Sequence, residues 1–356
     1  MTEPEGRLYF LDGARAIAVI LVLFAHINES FSVLFPELGL KNTTAFVFLW
    51  NLDLGKIGVF LFFIISGYLI PFAVDLKQEH YLKAFAKRRI LRIFPLFILS
   101  IPFGLYLEQY LSGKSLTWMD LPLNLLMVPN FFERPFAMGL YWTLQIELWF
   151  YVFVGILLLR KHFFYSSWGI PIVFVVLSII AEVLRGANRD INSLELAEFA
   201  KIIGILAFMF VGSLLRKVFE RNESRLEMWI LGIYVIYLCG YLPLKIALHV
   251  PSSEGPLLSS LSPALAILTF CCLKAFPNLT NSIKSIGKVS YSIYLVHGLV
   301  IHYFLVFGFK WQISEPNEEI LLPYVAYSLT VCALTFALSA ATYRAVERPF
   351  INIGAR

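Results

Sequence analysis

From Phe10 to Leu34 the chain reads FLDGARAIAVILVLFAHINESFSVL, and this stretch decides the fold class. A helix needs about 20 residues to cross the ~30 Å hydrocarbon core of a bilayer, and this run is long and apolar enough to do so. Its surroundings are of the same kind. Of the 356 residues, 59 % are hydrophobic and only 15 % charged, with a mean hydropathy of +0.75. A soluble domain carries roughly 25 % charged residues, and a water-soluble monomer avoids exposing large apolar patches. The balance excludes a soluble enzyme, a disordered chain and a secreted disulfide scaffold, and points to an all-α polytopic membrane protein.

The same ruler, moved along the chain, finds ten spans. They lie near 10–34, 54–74, 90–111, 141–160, 168–185, 200–218, 228–248, 257–276, 289–309 and 320–345. The apolar stretch from Asp120 to Phe136 holds Pro122, Pro129 and Pro135, so it reads as an interfacial or re-entrant segment rather than a span. The first apolar run is too long for a cleavable signal and no small-residue cleavage site follows it, so it is expected to stay as the first span. We expect one integral-membrane domain over 1–356 with no appended soluble domain. With the N-terminus in the cytoplasm, the inside segments hold 19 Lys and Arg and the outside ones 9, which favours both termini inside, as an even number of spans requires. The net charge of +5 has its explanation there; the basic residues form no single cluster interleaved with aromatics, and no nucleic-acid partner is expected. Cys239, Cys271, Cys272 and Cys332 lie in apolar stretches and read as packing residues, with neither a metal site nor a disulfide framework implied. No internal repeat is visible, which weakens a secondary-transporter reading.

Ionisable groups inside spans are costly, so each is a functional candidate. The first helix holds Asp12, Arg15 and His26. Arg15 and His26 are eleven residues apart, so they share a helix face and stand about 16 Å apart along the axis. One helix thus offers a fixed cation at the inner surface and an imidazole deep in the membrane. Lys87-Arg88-Arg89-Ile90-Leu91-Arg92-Ile93-Phe94-Pro95, at the cytoplasmic start of the third span, suits either a topology anchor on anionic headgroups or a polyphosphate clamp. In Tyr141-Trp142-Thr143-Leu144-Gln145-Ile146-Glu147, the carboxylate lies in the outer half of the fourth span and must pair or bind a proton; His26 is a possible partner. Ser290-Tyr291-Ser292-Ile293-Tyr294-Leu295-Val296-His297 opens the ninth span, with His302 five residues further reading as a helix-contact histidine. At the end of the last helix Pro349 should stop the helix, and Glu347 should pair with Arg344 one turn earlier. Ser66-Gly67 reads as close helix packing rather than a nucleophile. There is no P-loop, dinucleotide glycine fingerprint, HExxH or G-x-S-x-G elbow.

Taken in order, these motifs resemble acyltransferase family 3, the bacterial inner-membrane O-acyltransferases that act on glycans. The resemblance rests on Leu11 to Ala18 with His26 after ten intervening residues, Gly58 to Gly67, Lys87 to Pro95, Trp142-Thr143-Leu144 with Glu147, Ser290 to His297, and Glu347-Arg348-Pro349. Ala14 stands where a bulkier apolar residue is common. The resemblance implies transfer of an acyl group, usually acetyl, from cytoplasmic acyl-CoA (acetyl-CoA) to a hydroxyl of a cell-surface or lipid-linked glycan, in a multi-pass protein of the bacterial inner membrane and with no metal. Arg15, Arg88, Arg89 and Arg92 would then hold the donor's phosphates, with Tyr294 and His297 contacting the donor. His26 would be the general base, or a transient acyl carrier, and Glu147 would orient it. Acceptor specificity is expected in the outer loops near Asn28 to Asp53 and Leu111 to Gly139. A proton-coupled transporter using Glu147 and His26 as a relay, and a non-catalytic partner in polysaccharide assembly, are the competing readings.

Overall fold

A computed structural model describes residues 9–38, 52–74, 76–113, 117–159, 194–221, 261–308 and 320–355, with a few scattered positions between them. These residues are helical, with no strand among them. The principal helices are α1 (Tyr9–Leu34), α2 (Leu54–Leu69), α3 (Tyr81–Ser112), α4 (Asp120–Leu125), α5 (Tyr141–Leu159), α6 (Leu194–Arg221), α7 (Ser262–Ala275), α8 (Lys284–Lys288), α9 (Ser290–Phe307), α10 (Leu321–Thr342) and α11 (Arg348–Ala355). Among the described residues six helical stretches are long and apolar enough to cross a membrane: Phe10–Leu34, Tyr81–Ser112, Tyr141–Leu159, Ile202–Glu220, Ser290–Phe307 and Leu321–Ala355. α2 and α7 are apolar but shorter. Eight of the expected spans therefore coincide with helices, and those near 168–185 and 228–248 lie outside the described residues but for isolated positions.

Two local expectations are corrected. The basic run does not begin a helix: α3 starts six residues before Lys87 and continues through Pro95 and Pro102. Nor does Pro349 stop the last helix. A π turn over Tyr343–Glu347 joins α10 to α11, with the Arg348 N–H donating to the Tyr343 carbonyl five residues back, and Pro349 occupies the second position of α11. The Asp120–Phe136 stretch forms no span; it folds as α4 and a 3₁₀ turn over Pro129–Phe132. The Asp120 carboxylate, 2 % exposed, holds that stretch together. Arg134 donates to both of its oxygens at 2.7 Å, and the Thr117 backbone N–H and hydroxyl donate at 2.6 and 2.9 Å. The Arg134 guanidinium keeps the carboxyl ionised down to a pKa of about 2.

The chain forms two compact units, Met1–Gly58 with Lys87–Gln145 and Pro277–Arg356, and Val59–Ala86 with Ile146–Phe276. Three of the four boundaries fall inside α2, α3 and α5, and the fourth follows α7. In the first unit α1 packs along α9 and α10. Leu23, Ile27, Phe31 and Phe35 recur every fourth residue and so form one stripe, which meets Val296, Val300 and Phe304 of α9 and Tyr327 and Val331 of α10. The Tyr327 hydroxyl donates to Ser30 Oγ (2.8 Å) and the Tyr324 hydroxyl to Asn28 Oδ1 (3.1 Å), tying α10 to α1. At the other end of α1, α8 lies so close that a Cβ on Gly287 would overlap the carbonyl oxygen of Asp12.

The second unit is built on an equally close approach. A Cβ on Gly67 of α2 would overlap the Met209 carbonyl of α6, and one on Gly212 the Ile64 carbonyl. The Ser213 hydroxyl donates to the Gly67 carbonyl at 2.9 Å. Close packing is thus the role of Ser66-Gly67, as the sequence implies. Tyr68 donates to Glu220 (2.8 Å), which also accepts from Arg216 (2.8 Å).

Two predictions follow from these contacts. Gly67→Ala should cost about 1–3 kcal/mol or more in detergent unfolding, as overpacking does, because backbone on both sides must part. Gly155→Ala, whose Cβ meets nothing within 4 Å, should cost nothing. Asp120→Asn should lower the melting temperature at neutral pH. Because the folded carboxyl titrates near 2 and the unfolded one near 3.9, the difference from wild type should be full above about pH 4 and fade as pH falls toward 2. A difference that stays constant over that range would remove the ion pair as its cause.

Candidate active site

α1 supplies two charge pairs, each one helical turn long. Near its start, Arg15 Nη1 donates to Asp12 Oδ1 at 3.4 Å, with the Asp12 side chain 7 % and that of Arg15 18 % exposed. Toward its far end, His26 Nδ1 lies 3.3 Å from Glu29 Oε2, and both side chains are about half exposed. A carboxylate only accepts, so the proton of neutral His26 sits on Nδ1 and its Nε2 carries a free lone pair. This is the arrangement of an oriented base or nucleophile, an imidazole aligned by a carboxylate on its other nitrogen. Asp53, just ahead of α2, adds a second nearby carboxyl whose electrostatics couple to Glu29 and His26. Burial pushes its pKa up, against the opposing pull of the Lys56 N–H that donates to it at 3.0 Å.

α9 closes on this imidazole. The rings of His26 and His297 stand 5.4 Å apart with 30° between their planes, and the Tyr294 ring lies 5.7 Å from that of His297. His297 is fully buried; its Nδ1 donates to the Ile293 carbonyl at 3.1 Å and its Nε2 has no hydrogen-bond partner among the described residues. The Tyr294 hydroxyl is held in a structural network with the Leu140 carbonyl (3.1 Å) and Thr143 Oγ1 (2.6 Å). His302 Nδ1 donates to the Gly298 carbonyl of its own helix at 2.8 Å.

A second focus gathers cations. Arg15 of α1 and Arg92 of α3 both act electrostatically on Glu347, which is 3 % exposed and accepts the Ser292 hydroxyl at 2.6 Å. Glu347 therefore ties the last helix to α9, not to Arg344; the π turn rotates it inward while Arg344 stays exposed. α11 rests on α3 beside the basic run, where a Cβ on Gly354 would lie 3.5 Å from the Arg88 Cα. Arg88 is exposed, and Arg89 and Arg92 are half-buried. The structure thus brings His26, His297 and Tyr294 together, and places Arg15 and Arg92 about one carboxylate.

Glu147 belongs to the second unit, where Ser66 Oγ donates to it at 3.2 Å and the Tyr151 hydroxyl also donates. The carboxylate that the structure gives His26 is Glu29, which the sequence reading passed over. Its signal was the spacing His-x-x-Glu, one turn on a helix face. Among the described residues no group of three His, Cys, Asp or Glu is placed to hold a metal ion, and Cys271, Cys272 and Cys332 are free thiols.

The chain is similar over its full length to a protein of Bacillus subtilis (strain 168) provisionally named peptidoglycan O-acetyltransferase YrhL, at 25 % identity, and spans 56 % of that protein. A provisionally named O-acetyltransferase of Staphylococcus aureus (strain COL) is 24 % identical over 97 % of the chain, which spans 57 % of it. A provisionally named acetyltransferase of Acidianus two-tailed virus is 30 % identical over 32 % of the chain and 37 % of its own length. The chain thus spans little more than half the length of the bacterial relatives. No solved structure matches it. The description "Acyltransferase domain" fits residues 8–344, nearly the whole sequence, and on that match the chain belongs to this acyltransferase family.

Proposed function

We propose that this protein is a membrane O-acyltransferase, and an O-acetyltransferase in particular, that moves the acyl group of cytoplasmic acyl-CoA to a hydroxyl of a cell-surface or lipid-linked glycan. The observation that carries the reading is α1 itself: one rigid helix bears Arg15 beside Arg92 at one focus and the Glu29-aligned His26 at the other, about 16 Å apart along its axis. With ten spans and both termini cytoplasmic, the arginine end of α1 faces the cytoplasm of the bacterial inner membrane. Arg15, Arg88, Arg89 and Arg92 hold the donor's phosphates, guanidinium groups pairing bidentately with phosphate oxygens. The pantetheine arm then follows α1 toward His26, and the thioester end meets Tyr294 and His297.

His26 Nε2 removes the acceptor's hydroxyl proton as the oxygen forms its bond to the thioester carbonyl carbon. The carbon–sulfur bond breaks, the thiolate leaves, and the proton on His26 passes to it to give free coenzyme A. Glu29 keeps the imidazole in the tautomer that presents Nε2 and stabilises the imidazolium that forms. Asp53 adds negative potential around the same ring.

His26→Ala should abolish acylation, a loss of about 10²–10⁴ or more, with the protein inserted at normal level. The measurement is CoA release from acyl-CoA together with ester signals in NMR of surface glycans from deletion and complemented strains; retained activity would remove the base, and solute moved without gain of an acyl unit would favour transport. Replacing Arg88 and Arg89 by Gln should raise the donor KM about tenfold or more with little change in kcat, as loss of charge-assisted bonds does. An unchanged donor KM would make that run a topology anchor.

A further inference from the structure

The stretch from Thr117 to Phe132 has its polarity the wrong way round for water. Its polar side chains turn inward. Asp120 is held by Arg134 and Thr117, and Asn124, 1 % exposed, donates to the Asp120 and Pro135 carbonyls at 2.9 and 3.2 Å and accepts the Ala137 N–H at 2.7 Å. Gln145, in the first turns of α5, donates to the Met127 carbonyl (2.7 Å) and to Asn130 Oδ1 (2.8 Å). Its large apolar side chains turn outward: Trp118 is 83 % exposed, and Leu126, Phe131 and Phe132 are each more than half exposed. A soluble surface keeps large apolar patches covered and its polar groups wet. Here Asn124 and Gln145 meet the backbone groups of an irregular stretch from the protein side, which is what a lipid-facing segment requires.

Its height follows from α3. Ser112, the last residue of α3, lies twenty-four residues beyond Arg88, a rise of about 36 Å, and Gly104 lies sixteen residues beyond, about 24 Å. The chain leaves α3 at the upper mark and returns to it at the lower one. A Cβ on Gly104 would lie 2.8 Å from the Ala137 carbonyl oxygen, and the Tyr141 hydroxyl pairs with Ser100 Oγ at 2.5 Å. The cations of Lys87 to Arg92 mark one headgroup layer, so the far boundary of the ~30 Å hydrocarbon core passes between the two marks. The outward aromatics continue those at the end of α3, where Phe103, Tyr106 and Tyr110 are exposed, and Tyr and Trp gather at such boundaries.

We infer that Thr117–Phe132 is a membrane-surface element seated in the leaflet remote from the basic run, with Trp118, Leu121, Leu126, Phe131 and Phe132 entering the phospholipid acyl chains just below the headgroups. This goes beyond the acyl-transfer reading and does not depend on it. The prolines of the stretch are compatible with an interfacial or a re-entrant segment, and the heights select the first: a re-entrant loop would carry its irregular backbone deeper than the level at which the chain rejoins α3. An interfacial element buries its apolar face about 5–10 Å, and the mark at Gly104 lies about 6 Å inside the far boundary. α4 has too few turns to hold a shape alone, and the bonds of Asp120 and Asn124 hold it instead. Beyond Ala137 the chain is fastened to the helix that carries His297, since a Cβ on Gly298 would overlap the Leu140 side chain.

The test places the full chain in nanodiscs of pure phospholipid, one copy in each, so that neither a glycolipid acceptor nor a second copy can cover the surface. Trp118→Phe isolates the emission of Trp118 by difference from wild type, and Phe131→Trp adds a reporter at the other end of the element. Phosphatidylcholine brominated near the top of its acyl chains should quench both emissions about twofold or more beyond lipid brominated near the chain ends, as an insertion of about 5–10 Å requires. Aqueous iodide should leave both little changed. Stronger quenching by iodide than by either bromolipid would put the surface in water and overturn the inference. Strongest quenching from the chain ends would make the stretch re-entrant, and quenching by neither agent would mean that protein covers it; each result also overturns the inference. Should one variant fail to insert, the other decides by the same criteria.

Discussion

Hydrocarbon offers no hydrogen bonds, so a helix that carries ionisable groups across a bilayer must bring their partners with it. α1 meets that constraint twice with the same device, a carboxylate one turn away: Asp12 ahead of Arg15 and Glu29 after His26. Everything else in the first unit depends on the result. The fourth-residue stripe from Leu23 to Phe35 gives α1 an apolar seam for α9 and α10, and the Tyr327–Ser30 and Tyr324–Asn28 bonds set its rotation. In lipid, apolar burial gains little between helices; close packing and these hydrogen bonds carry the association. Because the seam fixes both rotation and height of α1 against α9, it also fixes which residue of α9 meets the imidazole.

The carboxylates on the other helices follow a different rule. Glu147 accepts from Ser66 and Tyr151, Glu220 from Tyr68, and Glu347 from Ser292. A hydroxyl can donate to an ionised carboxylate and can accept from a protonated one, so each such bond survives either state of the acid. Only Glu220 among the three has an arginine bonded to it, Arg216 at 2.8 Å. Hydroxyl partners thus let acids sit in helices without each requiring a dedicated cation bonded to it.

What the sequence made legible was what depends on composition and period. Long apolar runs located the helices, three prolines marked Asp120–Phe136 as something other than a span, and Arg15 and His26 could be put on one face by counting. What it hid depends on local backbone or on partners chosen among equals. The π turn at Tyr343–Glu347 has no signature in composition, and without it Pro349 reads as a stop and Glu347 as a partner of Arg344. Glu29 was overlooked because a polar stretch at a helix end looks like a boundary, and Glu147 drew attention instead by standing among aromatics. Polarity at the end of a span thus concealed the nearer carboxylate.

A helix is also a ruler, and here both of its marks are clamped. At the arginine end α8 comes so near α1 that only the missing side chain of Gly287 lets it reach the Asp12 carbonyl. At the histidine end the ring of His297 stands 5.4 Å from that of His26. Between them lie ten residues with a rise of about 1.5 Å each, and a change of one residue would turn the two marks apart by about 100° as well as shift their spacing. Spacing and direction are therefore coupled: no other count near eleven keeps both Arg15 and His26 on the face that α9 covers while holding their separation. A floppy connection would leave each end free to find its own partner. On the reading proposed above, a clamped helix makes an anionic donor head bound at one mark determine where its reactive end lies at the other, so that recognition of the head would itself position the chemistry.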